Sequence, residues 1–244
     1  MIIKTVDSDS GHWYAADGSP AYRIIGKNGK ERNTTVKDAR ELKLVPSVTT
    51  ILNVVAKPGL NTWLQTQVLL AALTLPRREN ESEESWLERV MTDSKSTGRD
   101  AMDRGTQMHG VLEQFYSGQD SEYPAYVAQV DKAITEHFGA QQWAAEASFA
   151  HPQGFGGKVD LSGSNIVIDF KSKDKLDKVA PYFEQIMQLA AYRQGLGKPT
   201  ARCANVFFTA DGDVKVIEHS EDDLDKAWRC FQCLLLFYTI KNNL

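Results

Sequence analysis

The chain has 244 residues, of which 42% are hydrophobic, 9% aromatic and 25% charged. These values are ordinary for a folded globular protein and exclude an intrinsically disordered chain. No apolar run approaches the roughly 20 residues of a membrane-spanning helix, and MIIKTVDSDSGHWY lacks the basic-then-apolar order of a signal peptide. The formal net charge of -4 argues against a protein that covers long duplex DNA through a broad basic surface.

The first half of the sequence is predicted to be mostly helical after a short β region. The turn signal DGSP lies between the apolar stretches 13–16 and 21–25, which predicts a β-hairpin or meander within residues 1–45. Ser47 stands where a helix N-cap belongs, and Lys57-Pro58-Gly59 ends that short helix. Further helices are predicted over about 60–75, 85–93, 99–116 and 125–138, so residues 46–140 form a helical region.

The pattern changes to β-type runs after Gly139. Strands are predicted over 144–150, 157–162, 166–172, 204–209 and 214–218, with helices over about 179–195 and 222–240. This order favours an α+β or mixed α/β fold with a central mixed sheet flanked by helices. Residues 141–244 are expected to be the core of one integrated domain, with the helical region laid over one side.

The stretch from Asp160 to Lys171 carries the strongest chemical signal. Asp169 and Lys171 are two residues apart on a predicted strand, so their side chains leave the same face. A two-residue turn at Gly163-Ser164 places Asp160 opposite Val167 and on that same face, whereas a three-residue loop would turn Asp160 to the other side. Two such carboxylates suit Mg²⁺ or Mn²⁺, and the lysine stands beside them. The alternative is an exposed hairpin with a surface Asp–Lys pair.

These residues resemble the core motif of the PD-(D/E)XK nuclease superfamily, with Asp160 followed by Ile168-Asp169-Phe170-Lys171. Three further segments resemble its RecB-type exonuclease branch, to which phage-encoded and mitochondrial genome maintenance exonucleases belong. They are the GxxxH pattern of Gly105 and His109, the QhxxY pattern of Gln188 and Tyr192, and the segment Val45–Leu52 with Ser47 and Thr49. They occur in the family's order.

The resemblance implies a restriction-endonuclease-like core and a metal-dependent deoxyribonuclease. His109, Asp160, Asp169 and the carbonyl of Phe170 would hold Mg²⁺ or Mn²⁺, and Lys171 would position the attacking water. Gln188 and Tyr192 would orient the lysine and the scissile phosphate. The residues expected to contact DNA are Ser47, Thr49, Gln185 and Arg104. Glu113 and Glu146 are acidic neighbours of these motifs without an assigned role.

The acidic net charge favours a narrow, threaded strand over broad duplex binding, which points to an exonuclease acting on single strands or ends. Replication or recombination of the phage type is the expected setting, with the cytoplasm of a bacterial host as the location. The expected partners are DNA and a replication or recombination protein, and no membrane is expected. The alternatives are an endonuclease of the same fold, a DNA-binding module without chemistry, or a metabolic α+β enzyme. Digestion polarity, strand preference, oligomeric state and the number of metal ions are left open.

The chain has three cysteines, Cys203, Cys230 and Cys233, which form no disulfide framework and therefore favour a reducing cytosol. Some RecB-type relatives, including CRISPR adaptation nucleases, carry an iron–sulfur cluster on four cysteines. Cys230 and Cys233 have CxxC spacing, but the N-terminal region contains no cysteine. Because a cluster needs four thiolates, no iron–sulfur cluster is expected.

Overall fold

The computed structural model describes residues 11–244, and these residues form two compact units. One unit, called here the sheet unit, contains 11–54 and Val111–Leu244, and the other, the helical unit, is Val55–Gly110. The first ten residues of the expected β region 1–45 lie outside the described residues. The division of the chain at 45 and 140 stays a prediction.

The helical unit is built from α3 (Pro58–Thr74), α4 (Glu83–Ser94) and the first part of α5 (Ser96–Tyr116). Pro58 occupies the start of α3, where its missing N–H costs no hydrogen bond. The indole nitrogen of Trp86 donates to the carbonyl of Leu75 over 2.7 Å, which joins α4 to the end of α3. The helices predicted over 60–75, 85–93 and 99–116 are confirmed, each two or three residues longer at its start.

The N-terminal part of the sheet unit contains short elements. They are β1 (Trp13–Tyr14), β2 (Arg23–Ile25), β3 (Glu31–Asn33), α1 (Val36–Leu42), β4 (Val45–Pro46) and α2 (Val48–Leu52). The hairpin joins β2 to β3 across the KNGK turn, whereas β1 pairs with β4. The sequence instead suggested pairing across DGSP, where the structure has only the bridge between Tyr14 and Pro20 within residues 11–244.

The core of the sheet unit is one mixed five-stranded sheet. Its strands lie in the order β5 (Ala144–His151), β6 (Phe155–Ser162), β7 (Ile166–Ser172), β8 (Arg202–Phe208) and β9 (Val214–Glu218). Only the pair of β7 and β8 is parallel, and the others are antiparallel. Helix α6 (Ala125–Phe138) precedes the sheet, α7 (Phe183–Gly195) connects β7 to β8, and α8 (Glu221–Asn242) ends the chain.

The two faces of this sheet have different neighbours. On one face, the ring of Phe170 contacts Phe208 and the ring of Tyr116 at centroid distances of 6.1 and 6.2 Å, and Tyr126 of α6 stacks on Phe208. On the opposite face, Lys171 contacts Gln188 of α7. Helices therefore cover both faces, and the mixed α+β fold with a helix-flanked mixed sheet is confirmed. Across residues 11–244, no helix combines the length and apolarity needed to cross a lipid bilayer.

Helix α7 approaches the sheet closely and is tied to α8. A Cβ on Gly195 would lie 2.0 Å from the ring of Phe149 on β5, so only glycine allows this contact. The guanidinium of Arg193 is fully buried and donates to Glu221 and Asp225 of α8 over 2.8 and 3.1 Å. These contacts fix the helix that carries Gln188 and Tyr192.

Candidate active site

A row of polar residues crosses the middle strands of the sheet. The register of β5 and β6 leaves Glu146 opposite Asp160, between the pairs Ala145↔Leu161 and Ala147↔Val159. Asp169 pairs with Asn205 across the parallel strands β7 and β8. The register of β6 and β7, continued by one residue, sets Asp160 opposite Asp169. Four polar side chains from four strands therefore line up on one face.

The turn between β6 and β7 explains why Asp160 faces Asp169 directly. Gly163 donates its backbone N–H to the carbonyl of Ile166 over 2.9 Å, so Ser164-Asn165 occupies the tip of the turn. The predicted tip was one residue earlier, and the predicted partner of Asp160, Val167, is wrong by two residues. Because side chains alternate along a strand, a shift of two residues keeps the same face. Asp160, Asp169 and Lys171 thus share a face as predicted.

Asp160 is held by the backbone of the neighbouring strand. Its Oδ2 accepts a hydrogen bond of 2.8 Å from the backbone N–H of Phe170, in place of a ladder carbonyl. Burial and the nearby carboxylate of Asp169 raise the pKa of Asp160 to about 7, against the opposing effects of Lys171 and the Phe170 hydrogen bond. The two acids therefore disfavour each other's negative charge.

Lys171 joins Asp169 to a polar stripe on α7. Its ammonium lies 2.7 Å from Asp169 and 3.5 Å from Oε1 of Gln188, whose Nε2 donates to the hydroxyl of Tyr192 over 2.9 Å. Burial alone would lower the pKa of Lys171, but Asp169 and Asp160 raise it above its usual value. Burial and the same two acids raise the pKa of Tyr192 far above its usual value. The lysine is therefore cationic and the phenol neutral near pH 7.

Asn205 and His219 belong to this network and were missed by the sequence analysis. Nδ2 of Asn205 donates to Oδ2 of Asp169 over 2.8 Å, and Oδ1 of Asn205 lies 2.8 Å from Nε2 of His219. Burial lowers the pKa of His219, so its ring is neutral near pH 7. Because an amide oxygen only accepts, Nε2 carries the hydrogen. No local motif marks either residue, since the register of β8 brings Asn205 beside Asp169 across 36 positions.

Glu146 stands at the outer end of the row with an unusual backbone. Its φ of 54° lies in the left-handed region, which costs a non-glycine residue about 1 kcal/mol or more. The side chain forms an ion pair with Lys158. Burial alone would lower the pKa of Lys158, but Glu146 and, more weakly, Glu113 raise it. Glu146 is thus held beside Asp160 on β6 by charge and by a constrained backbone.

The oxygen donors of the row suit a hard divalent cation. Asp160 and Asp169 offer two carboxylates and Phe170 a carbonyl, which are ligand types that Mg²⁺ and Mn²⁺ prefer. A cation bound between the two carboxylates would offset their mutual repulsion and so lower the raised pKa of Asp160. Within residues 11–244, the side chains as they stand do not bring three or more His, Cys, Asp and Glu together in a geometry that holds a metal ion, so Asp160 and Asp169 are the side-chain ligands that the row itself offers. The small donor set fits Mg²⁺, which keeps several of its own waters.

The other predicted site residues lie on separate elements. Ser47 is buried and its hydroxyl caps α2 by accepting from the N–H of Thr50 over 3.0 Å, while Thr49 is exposed beside it. Gln185 caps the start of α7, where its Oε1 accepts from the N–H of Tyr182 over 2.9 Å. His109 and Arg104 belong to α5 within the helical unit. Their roles at the site stay predictions.

No protein-family model matches the chain, and neither does any curated protein. Among solved structures, an alkaline exonuclease from Laribacter hongkongensis is 15% identical, covers 74% of this chain and 97% of its own, and has a TM-score of 0.34. Its complex with dAMP gives 15% identity, 73% and 90% coverage, and a TM-score of 0.31. A candidate exonuclease from Eubacterium rectale is 15% identical, the match covers 68% of this chain and 71% of that one, and the TM-score is 0.34. Because these TM-scores are low, the function proposed below depends on the residues of the site.

Proposed function

We propose that the protein is a metal-dependent deoxyribonuclease of the PD-(D/E)XK superfamily that hydrolyses phosphodiester bonds. The observation that carries this proposal is the convergence of Asp160, Asp169 and Lys171 on one face of the sheet, with Lys171 held 2.7 Å from Asp169. Two facing carboxylates, one of them almost fully buried, beside a half-buried ammonium are expensive to maintain without a function. A surface Asp–Lys pair does not account for them, because Asp169 is 1% exposed.

The residues of the chain would divide the work of hydrolysis. Bound Mg²⁺ or Mn²⁺ would acidify a water and offset charge on the phosphate. Asp160, Asp169 and the Phe170 carbonyl would hold the ion, with His109 as a further ligand. The cationic Lys171 would orient the water and contact a phosphate oxygen, since its raised pKa disfavours a role as a base.

Neighbouring residues would position the lysine and the DNA. The hydrogen bond between Gln188 and Tyr192 would hold the Gln188 oxygen toward Lys171. Ser47, Thr49, Gln185 and Arg104 would contact the strand. The acidic net charge of -4 supports a locally bound single strand or end, and therefore an exonuclease. We place it in phage-type replication or recombination, in the cytoplasm of a bacterial host, with a replication or recombination protein as partner.

Digestion of end-labelled DNA tests this function directly. Linear and circular, single- and double-stranded DNA are incubated with wild type, Lys171→Ala and the control Lys132→Ala, with Mg²⁺, Mn²⁺ or EDTA. We expect only linear DNA to be cleaved, with single strands preferred, and we expect this cleavage to require the metal. Lys171→Ala should lose the activity, whereas Lys132→Ala should keep it. Cleavage of circular DNA would identify an endonuclease. Binding of DNA without cleavage would identify a DNA-binding module. If the protein neither binds nor cleaves DNA, the remaining alternative is a metabolic enzyme unrelated to nucleic acid.

A further inference from the structure

A pocket lined with lysines follows the strand that carries Lys171. After β7 ends, the chain forms a loop before α7 that lines an open concavity of about 410 Å³. Its lining residues are Lys173, Lys175, Asp177, Lys178, Val179, Ala180 and Tyr182. This group is called here the lysine pocket. None of these residues was assigned a role from the sequence motifs.

The pocket concentrates positive charge on an acidic protein. It presents three ammonium groups against one carboxylate, whereas the whole chain has a net charge of -4. Lys173, Lys175 and Lys178 are exposed, and none of them forms an ion pair within the part of the chain that the structure describes. Like charges gathered around a concavity repel one another unless an anion occupies it. The pocket is therefore suited to a negatively charged ligand.

The surrounding structure adds to this preference for anions. Val179, Ala180 and Tyr182 lead directly into α7, a helix of 13 residues whose N-terminal end carries partial positive charge. Tyr182 is 68% exposed, so its ring is available as a flat surface on which a nucleic-acid base can stack. The lysines and the start of α7 thus suit a phosphate, and the ring of Tyr182 beside them suits a base.

The loop is anchored to the same sheet as the candidate active site. The N–H of Lys173 donates to the carbonyl of Phe208 over 2.9 Å, and the ammonium of Lys215 donates to the carbonyl of Val179 over 3.1 Å. Lys173 is two residues beyond Lys171, a distance of about 6.6 Å along an extended backbone. A strand lying over Lys171 can therefore reach the pocket with its next phosphates.

We infer that the lysine pocket binds backbone phosphates of the nucleic-acid strand whose phosphodiester bond is cut beside Lys171. The inference rests on the proposed nuclease function and adds a binding subsite to it. The lysines contribute affinity that is the same before and during the reaction, so they affect strand binding and leave the chemical step alone.

The test compares two triple variants that lose the same charge. Lys173→Gln/Lys175→Gln/Lys178→Gln alters the pocket, and Lys37→Gln/Lys132→Gln/Lys241→Gln removes three exposed lysines elsewhere. Binding of a fluorescent single-stranded oligonucleotide is measured by anisotropy in EDTA at several salt concentrations, and hydrolysis is measured separately with Mg²⁺. Inorganic phosphate serves as a second probe of binding.

We expect the pocket variant to raise Kd about tenfold or more and to flatten the dependence of log K on log salt by about 2, since each lost phosphate contact removes roughly 0.7 from a single-strand slope. KM should rise while kcat at saturating DNA stays within about twofold. The control variant should match wild type.

The possible failures point to different conclusions. Equal Kd and salt slope in the two triple variants would overturn the lysine pocket and leave the nuclease proposal untouched. A wild type that binds inorganic phosphate, with unchanged oligonucleotide affinity in the pocket variant, would identify a free-anion site and also overturn it. Lysine-dependent binding by a wild type that cuts no DNA would instead overturn the nuclease function.

Discussion

Asn205 donates its side-chain amide to the carboxylate of Asp169 over 2.8 Å, and both residues are almost completely buried. The other end of the amide lies 2.8 Å from the ring of His219. Lys171 approaches Asp169 at 2.7 Å, so the carboxylate is held by a neutral donor as well as a cation. The orientation of Asp169 is therefore fixed by packed protein groups and not by solvent.

We predict that Asn205→Ala lowers kcat of DNA hydrolysis by about 10- to 100-fold, the usual effect of removing a group that orients a metal-binding side chain. The affinity for Mn²⁺, measured by titration calorimetry, should fall in the same range. Loss of the hydrogen bond to a buried carboxylate should also reduce the free energy of unfolding by about 1.5–3 kcal/mol.

The control for this prediction is Asn165→Ala, which removes an exposed amide at the β6–β7 turn. It should match wild type in activity, Mn²⁺ affinity and stability. If Asn205→Ala loses stability but keeps wild-type Mn²⁺ affinity and kcat, Asn205 is a packing residue and the orienting role is wrong.

Most of the fold could be predicted because its elements depend on local sequence. Helix α6 spans Ala125–Phe138, the predicted bounds, since its apolar residues keep helical spacing and Pro124 and Gly139 flank it. Helix α1 was not predicted. Its start is set by capping contacts between Thr35 and Asp38. The helix has only seven residues and little apolar periodicity, so the sequence pattern did not reveal it.

The site was predictable only where its residues are close in sequence. Alternation along β7 was enough to place Asp169 and Lys171 on one face. The partner of Asp160 depended on the position of a turn that several residues could form, so the register was wrong by two. Asn205 reaches Asp169, and His219 reaches Asn205, only through strand pairing between distant segments, which no local spacing encodes.

Two glutamines of α7 should respond differently to mutation although they belong to one polar stripe. We predict that Gln188→Ala lowers kcat about tenfold, because the oxygen of Gln188 faces the ammonium of Lys171 at 3.5 Å. Gln185→Ala removes the cap at Tyr182 and the proposed strand contact, so it should cost about 0.5–1 kcal/mol of stability and weaken strand binding with little change in kcat. Steady-state kinetics and chemical denaturation of both variants separate these effects. A larger kcat loss in Gln185→Ala would reverse the assignment.

The stability of the protein should depend on pH through Glu218. Two hydrogen bonds of 2.7 Å from Arg202, aided by His137 at 2.9 Å, lower the pKa of Glu218 to about 2 despite partial burial. A lowered pKa in the folded state stabilises it above the usual value of 4.5, and this stability is lost as the pH falls toward 2. We predict that Glu218→Gln lowers the free energy of unfolding near pH 7 by about 1–2 kcal/mol, allowing for the exposure of Arg202.

Denaturant titrations between about pH 7 and pH 2 measure this effect. The wild-type and Glu218→Gln curves should converge as the pH approaches 2. Glu136→Gln is the matched control, since the ion pair of Glu136 with Lys132 is long at 3.9 Å and well exposed. Its curve should follow wild type within about 0.5 kcal/mol. Parallel curves for wild type and Glu218→Gln would show that the Arg202 pair does not set the pH dependence.

The ion pairs between α7 and α8 should be unequal in their effects on stability. Arg193 is fully buried, whereas the side chains of Glu221 and Asp225 are 60% and 63% exposed. Arg193→Ala leaves a large cavity in the core and should reduce the free energy of unfolding by about 3–5 kcal/mol. Glu221→Gln should cost less than about 1 kcal/mol, because Asp225 still neutralises the guanidinium and the new amide oxygen can still accept its hydrogen bond. Equal losses in the two variants, measured by denaturant unfolding, would mean that the charge pair and not the buried side chain holds α7 to α8.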